Sequence, residues 1–174
     1  MSGAAIDELR RSFDDAFARP PDERAVDTDE LLVVRVAGDP YAVRARETSG
    51  LAPATRIVPV PGPLPELLGI TTIRGGLVPA YSLRGLLGYP YARDVPPWLL
   101  LCGADQERAA LGVDRFERYV RVSRTGISAA DDLGGRQHVR EFVRTEAEVC
   151  AVIDIRSVLE TIRRRIGTLG REKE

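Results

Sequence analysis

A diglycine set between two apolar runs is the feature that most constrains the fold. Gly75-Gly76 lies inside the stretch Gly69–Arg84, which reads GITTIRGGLVPAYSLR. A diglycine supplies the positive φ angles that a two-residue β-hairpin turn requires. Centred on that dipeptide, the hairpin is predicted to pair Arg74 with Leu77, Ile73 with Val78, Ile70 with Tyr81, and Leu68 with Leu83. One face then carries a core layer of Leu68, Ile70, Tyr81 and Leu83, and the other carries small residues that suit a close approach by another backbone segment.

Three residues of this stretch carry further expectations. Pro79 cannot donate a ladder hydrogen bond, so its strand is expected to be an edge strand or to carry a bulge. Ser82 is placed to cap a short helix that Gly88 closes. Arg74 stands at the hairpin tip, where its guanidinium either reaches a partner protein or forms an internal salt bridge between two parts of the domain. The residues alone leave these two roles of Arg74 open.

Composition limits the class of protein. The 174 residues are 44% hydrophobic and 29% charged, which is typical of one globular domain. A net charge of −1 argues against nucleic-acid or anionic-membrane binding. The absence of a long apolar run or a secretory signal predicts a cytoplasmic protein with no direct membrane insertion. Cys102 and Cys150 lie in apolar runs and are expected to be buried thiols, although a bridge between them is conceivable.

An amphipathic helix is predicted before the main domain. Apolar residues recur at helical spacing over residues 4–18, and Pro20-Pro21 ends the pattern. This helix either covers its own domain or forms a docking element for another protein. The expected organisation is therefore an N-terminal helix and linker at residues 1–29, a main domain at residues 30–167, and a C-terminal tail at residues 168–174.

A weak internal repeat indicates two similar subdomains. Tyr41-Ala42-Val43 and Ile73-Arg74 recur 70 positions later as Leu111-Gly112-Val113 and Val143-Arg144. Ser82 corresponds to Asp154, which is expected to cap a helix that stops at Gly167. One duplicated unit predicts an all-β fold with peripheral helices, in which ten short strands form two small barrels of five.

Catalysis has little support in the sequence. His138 is the only histidine, and the cysteines lack metal-ligand spacing. A Ser-His-Asp arrangement requires Ser128 with Asp131 or Asp132, and all of these lie in one loop that is poorly suited to hold a rigid triad. The glycines of the hairpin match no phosphate-binding spacing. We expect no catalytic residue, no cofactor and no metal, and a small β-barrel hydrolase is the remote alternative.

The hairpin also resembles the signature of the CheW-like domain, the adaptor family of bacterial chemotaxis. Ile73-Arg74-Gly75 and Val78-Pro79 match the family pattern in place, and the similarity extends over about residues 30–166. The resemblance implies two five-stranded SH3-like β-barrel subdomains packed together, with no catalysis and no cofactor. It also implies two protein partners, namely the regulatory domain of a chemotaxis-type histidine kinase and the cytoplasmic tip of a methyl-accepting chemoreceptor in a receptor array.

The same resemblance assigns a partner-binding surface. The family arginine that contacts the receptor falls on Arg74, and the adjoining site residues are Thr72, Ile73, Gly75, Val78, Gly50 and Leu51. Thr72 and Ser82 stand where the family usually has Asn and Asp. Gly50 stands where the family often has a glutamate, which implies a divergent adaptor with altered partners. An alternative within the same class is a protein that binds the kinase in competition with the usual adaptor and does not engage receptors.

Overall fold

A computed structural model of the chain describes residues 27–62, 64–90, 94–104, 107–129 and 136–171. These residues are mostly β-strand. The strands are β1 (Thr28–Val36), β2 (Asp39–Arg44), β3 (Thr48–Pro53), β4 (Ile57–Val58), β5 (Leu67–Ile73), β6 (Gly76–Ser82), β7 (Trp98–Cys102), β8 (Ala109–Val113), β9 (Arg115–Ser123), β10 (Ile127–Ala129), β11 (Val139–Arg144) and β12 (Val149–Ile153). The α-helices are α1 (Leu83–Leu86) and α2 (Ile155–Arg171), and short 3₁₀ turns occupy Ala45–Glu47 and Arg124–Gly126. The helix predicted over residues 4–18 lies outside the described residues.

The strands form two sheets, which confirms the predicted β class and the two subdomains. The first sheet has the order β10-β11-β12-β2-β1-β9, and the second has the order β3-β7-β8-β6-β5-β4. Each sheet therefore holds six strands, where five were predicted. Two of the twelve are very short, with two residues in β4 and three in β10, and such short pairings leave little trace in the hydrophobic pattern of a sequence.

The two halves of the sequence repeat exchange their opening hairpins. The β1–β2 hairpin joins the sheet formed by the second half, where β2 runs parallel to β12 and pairs Tyr41 with Ala151. The β7–β8 hairpin joins the sheet formed by the first half, where β8 runs parallel to β6 and pairs Leu111 with Tyr81. Equivalent residues of the repeat thus play equivalent roles, but neither subdomain is a contiguous half of the chain.

Apolar side chains form one large core between the sheets and a small core within each. The large core, called the shared core here, collects buried side chains from both sheets and both helices, including Val36, Tyr41, Tyr81, Leu83, Leu100, Leu111, Ile153 and Val158. The first sheet encloses a cluster around Leu31, Val33 and Val152. The second encloses a cluster around Val78, Leu99 and Leu101. Because the shared core is the largest, the two subdomains depend on each other for burial of their apolar surface.

The predicted helix caps are confirmed, and one predicted helix end is wrong. The Ser82 hydroxyl accepts a hydrogen bond from the Gly85 N–H at 3.2 Å, and the Asp154 carboxylate accepts one from the Ser157 N–H at 3.0 Å. Helix α2 continues through Gly167 to Arg171. An interior glycine costs a helix only about 1 kcal/mol relative to alanine, and Gly167 does not have the positive φ of a helix-ending glycine. Cys102 and Cys150 are both buried and free.

Candidate docking surfaces on the β5–β6 hairpin

The turn of the β5–β6 hairpin is one residue earlier than predicted. Its two central residues are Arg74 and Gly75, with φ of 50° and 79°, and Ile73 pairs with Gly76 and Thr72 with Leu77. The predicted pairings of Arg74 with Leu77, Ile73 with Val78, Ile70 with Tyr81 and Leu68 with Leu83 are therefore all wrong. A type I′ turn needs positive φ at both central residues. Here Arg74 accepts that conformation, and the resulting register buries Val78 and Ala80.

The changed register also alters the predicted core layer. Tyr81 and Leu83 do lie in the shared core, as predicted. Leu68 instead packs against the small core of the second sheet, and Ile70 is half-buried at the surface. The prediction that all four residues form one layer is wrong, because an irregularity between Leu67 and Gly69 interrupts the alternation of faces.

The small residues of the hairpin do receive a neighbouring backbone segment. A Cβ atom on Gly69 would lie 2.1 Å from the Val58 carbonyl oxygen, and Gly69 has a φ of +144°. Only glycine tolerates both conditions. Pro79 lies in an interior strand rather than an edge strand, but β8 pairs with β6 only from Ala80 onward, so the missing N–H of Pro79 breaks no hydrogen bond of that pairing.

A small groove beside the turn is lined by three of the seven predicted site residues, namely Ile73, Arg74 and Val78. It encloses about 250 Å³ and is lined by Ser49, Ile73, Arg74, Val78, Leu101, Cys102, Gly103, Ala104, Arg108 and Ala109; it is called the arginine groove below. Gly50 adjoins it, since a Cβ atom there would lie 3.8 Å from Arg74 Nη2 and 3.6 Å from Leu101 Cδ1. The structure therefore brings Gly50 next to Ile73, Arg74 and Val78 of the hairpin, although Gly50 is distant from them in sequence.

Arg74 is exposed at the mouth of this groove. Within the described part of the chain it forms no salt bridge and no side-chain hydrogen bond. The alternative role of Arg74, an internal salt bridge between two parts of the domain, therefore has no partner among these residues. Gly75 is also exposed in the turn. A guanidinium presents five donors in a planar fork, and an exposed one without a partner is free to bind a carboxylate.

Two other predicted site residues lie elsewhere. Leu51 packs against the shared core, because successive residues of β3 point to opposite faces. Thr72 is exposed on the other face of the hairpin from the arginine groove. Sequence reasoning missed Ser49 and Arg108 as groove residues. The only signal for Arg108 was its place at the start of a strand that follows a turn, which is too common to identify a site.

An apolar groove lies on that other face. It is an open depression of about 500 Å³ between β4 and the hairpin, lined by Thr55, Arg56, Val58, Val60, Ile70, Thr71, Thr72 and Leu77; it is called the apolar groove below. Leu77 and Val58 are 77% and 47% exposed. Exposed aliphatic side chains grouped in this way are typical of a protein-binding surface.

A third, larger groove of about 940 Å³ runs between the two sheets beside the start of α2. Its charges are compensated internally. Arg44 binds Asp29 at 3.0 Å and also Glu141, and Arg163 binds Glu107. Burial raises the pKa of Glu47, whose carboxylate accepts a hydrogen bond from the Ile155 N–H at 3.4 Å. This groove adjoins the arginine groove at Gly103, but it offers a partner few unpaired charges.

His138 does not assemble the arrangement that the hydrolase alternative requires. Its Nδ1 lies 2.9 Å from the hydroxyl of Ser157 rather than that of Ser128, and its Nε2 is buried without a partner. Ser128 lies in β10 opposite Phe142, and Asp131 and Asp132 fall outside the described residues. Burial, followed by the charge of nearby Arg165, lowers the pKa of His138. A base of the triad type needs an orienting carboxylate on its second nitrogen, and no described residue supplies one.

The described residues contain no group of three or more His, Cys, Asp or Glu side chains placed to hold a metal ion. None of the helices in the same residues combines the length and apolarity needed to cross a membrane.

The fold and these surfaces define a class of protein: a β module of two interleaved sheets whose exposed hairpin presents grooves suited to protein contacts. The chain belongs to the CheW-like domain family, whose model matches residues 30–163. It is similar in structure to the scaffolding protein TtCheW from Thermoanaerobacter tengcongensis, with a TM-score of 0.63 over 72% of this chain and 88% of that one. The two sequences are 16% identical, so that likeness concerns the fold. No curated protein sequence matches the chain.

Proposed function

We propose that this protein is a non-catalytic adaptor of a chemosensory system. In this role it joins the cytoplasmic tip of a chemoreceptor to the regulatory domain of a histidine kinase, and it resides in the cytoplasm at receptor arrays. Membership of the CheW-like family supports the adaptor class. The observation that carries the proposal is the guanidinium of Arg74, which is exposed and has no partner among the described residues, at the tip of the hairpin that bears the family signature.

An adaptor needs two contact surfaces that do not overlap, and the β5–β6 hairpin has grooves on both of its faces. The arginine groove is positively charged, with Arg74 and Arg108 among its lining residues. The apolar groove presents Val58, Ile70 and Leu77. We assign the arginine groove to the receptor tip, because the family arginine makes that contact, and the apolar groove to the kinase domain. Each assignment requires only complementarity of shape and charge, and no chemical step.

A second candidate function is supported by Gly50. This residue stands where the family often has a glutamate, and it adjoins Arg74 in the folded protein. If the family's receptor contact depends on that carboxylate, this chain binds the kinase without binding the receptor. It then acts as a competitor of the ordinary adaptor.

A bridging experiment separates these functions. The regulatory domain of a chemotaxis-type histidine kinase from the same organism is immobilised, and a receptor-tip fragment from that organism is added with and without the purified protein. The adaptor retains the receptor fragment on the surface only when the protein is present. The competitor is itself retained by the kinase domain but brings no receptor fragment. Retention of neither by the kinase domain would refute both functions.

A further inference from the structure

We propose that the arginine groove binds one acidic side chain of the partner protein together with a neighbouring aliphatic side chain, and that Arg108 acts with Arg74 as the second cation. This inference rests on the proposed function and specifies the chemistry of one of its two surfaces. The expected occupant is a surface segment of the partner protein that carries a glutamate beside a leucine, isoleucine or valine.

The size of the groove favours side chains over a separate small molecule. Its volume is about 250 Å³, whereas pockets for small ligands enclose about 300–1,000 Å³. It also opens at the protein surface beside the exposed turn. One or two inserted side chains fill such a space, while the rest of the partner remains on the surface.

Among the described residues, the charge of the groove is positive and uncompensated. Arg74 and Arg108 are both exposed, and none of the described residues that line the groove is acidic. Neither arginine has an ion-pair partner in the described ranges. Glu107, which precedes Arg108, directs its carboxylate to Arg163 in the neighbouring groove. Two cations facing one small space repel each other, and a partner carboxylate between them relieves that repulsion.

The floor of the groove is apolar. Val78, Leu101 and Ala109 line it with little exposure to solvent, and Ile73 forms part of its wall. An aliphatic side chain placed there is removed from water. The lower effective dielectric constant next to it strengthens the attraction between a carboxylate and the two guanidinium groups. A segment with acidic side chains alone would contact the two arginines and leave the apolar floor of the groove uncovered.

Gly50 leaves room for the occupant. Its backbone adjoins both Arg74 and Leu101, yet it contributes no side chain to the groove. Ser49, the preceding residue, is exposed and lines the groove with a short hydroxyl side chain. Because β3 places no carboxylate beside Arg74, the partner has to supply it.

The first test uses a defined probe. The full-length protein is titrated with a short helical peptide that carries Glu and Leu one turn apart, and methyl NMR signals of Val78 and Leu101 are followed. The Glu peptide is expected to shift these signals, and the matching Gln peptide to bind more weakly. Arg108→Gln is expected to weaken binding of the Glu peptide roughly threefold to tenfold, as for a lost charged contact. Arg115→Gln, at an exposed arginine of the first sheet, is the matched control and should have no effect.

The second test places the carboxylate within the chain itself. Ser49→Glu is expected to weaken binding of the Glu peptide, because its side chain competes for the two arginines, whereas Ser49→Gln is expected to leave binding largely intact. Equal affinity for the Glu and Gln peptides, or no shift of the methyl signals at millimolar peptide, would overturn the inference.

The bridging experiment distinguishes this failure from failure of the proposed function. If Arg108→Gln and Ser49→Glu bridge kinase and receptor as well as the wild type does, the inference is wrong and the adaptor function stands. If the wild type selects the Glu peptide but does not bridge, the function is wrong and the chemistry of the groove stands.

Discussion

Replacement of Leu111 by alanine tests whether the shared core makes the two sheets unfold as one unit. Leu111 is 0% exposed and belongs to the cluster that joins both sheets. A Leu→Ala change at such a site costs about 2–5 kcal/mol, a large part of the 5–15 kcal/mol typical of a whole domain. With a loss of about 3 kcal/mol and a urea slope of about 2 kcal/mol/M, the unfolding midpoint falls by about 1.5 M.

Two probes of the same urea titration make this test specific. Trp98 is the only tryptophan and lies in β7 of the second sheet, so its fluorescence reports on that sheet. Far-UV circular dichroism reports on both sheets together. If the shared core couples the sheets, fluorescence and circular dichroism have the same urea midpoint as each other in the wild type. They also agree with each other in Leu111→Ala, at that variant's lower midpoint.

Leu77→Ala is the matched control. Leu77 is the same residue type but is 77% exposed, so its truncation should change the free energy of unfolding by no more than about 0.5 kcal/mol. Equal losses for the two variants would contradict the assignment of the core. Separate transitions for fluorescence and circular dichroism would show that the sheets unfold independently.

Two further stability predictions concern Gly69 and Asp29. Gly69→Ala should lower the free energy of unfolding by about 2 kcal/mol or more, because its backbone is strained for other residues and the added Cβ would lie 2.1 Å from the Val58 oxygen. Gly126→Ala, which meets no atom within 4 Å, should be nearly neutral in the same urea assay, and similar losses at both sites would refute the argument. For Asp29, burial opposes ionisation, but the hydrogen bond from Arg44 and the charges of Arg46, Arg44 and Arg124 outweigh it, so its pKa lies below its ordinary value. A carboxylate with a lowered folded-state pKa stabilises the fold above its unfolded pKa, and this contribution disappears as the pH falls through the folded pKa. Asp29→Asn should therefore cost roughly 1–3 kcal/mol near neutral pH, as for lost hydrogen bonds to charged groups, and progressively less as the pH falls from the unfolded-state pKa through the lowered folded-state pKa, because the wild-type carboxylate then becomes protonated; a loss that does not change with pH would contradict this role.

The strand pattern and the hairpin could be predicted because their causes are local. Alternating apolar residues, glycine turns and capping side chains act over a few residues, so Ser82, Asp154 and most strands were identified correctly. The exact turn was not, because Arg74-Gly75 and Gly75-Gly76 both lie where the chain must reverse. The choice between them depends on which register buries Val78 and Ala80, and that is a tertiary effect.

The exchange of hairpins and the composition of the arginine groove could not be read from the sequence. A repeat indicates similar units but does not say which sheet each hairpin joins. Gly50, Arg74 and Arg108 come from three separate segments, and their proximity depends on the pairing of β3 with β7, of β7 with β8 and of β8 with β6. In the same way, the partner of His138 proved to be Ser157, a residue of α2 that no local pattern connects with it.

The proposed function depends on Arg74 at the hairpin tip acting as a docking residue. The decisive experiment measures how much receptor-tip fragment Arg74→Glu retains on the immobilised kinase domain. Urea unfolding of the same sample measures its stability, and Arg144→Glu serves as the control variant. Arg144 is the repeat equivalent of Arg74 and is exposed at the end of β11. Arg74→Glu is expected to lose the receptor fragment while its unfolding midpoint stays at the wild-type value, and Arg144→Glu is expected to keep both. Full retention by Arg74→Glu, or a lowered midpoint that shows a structural role, would contradict the docking role of Arg74.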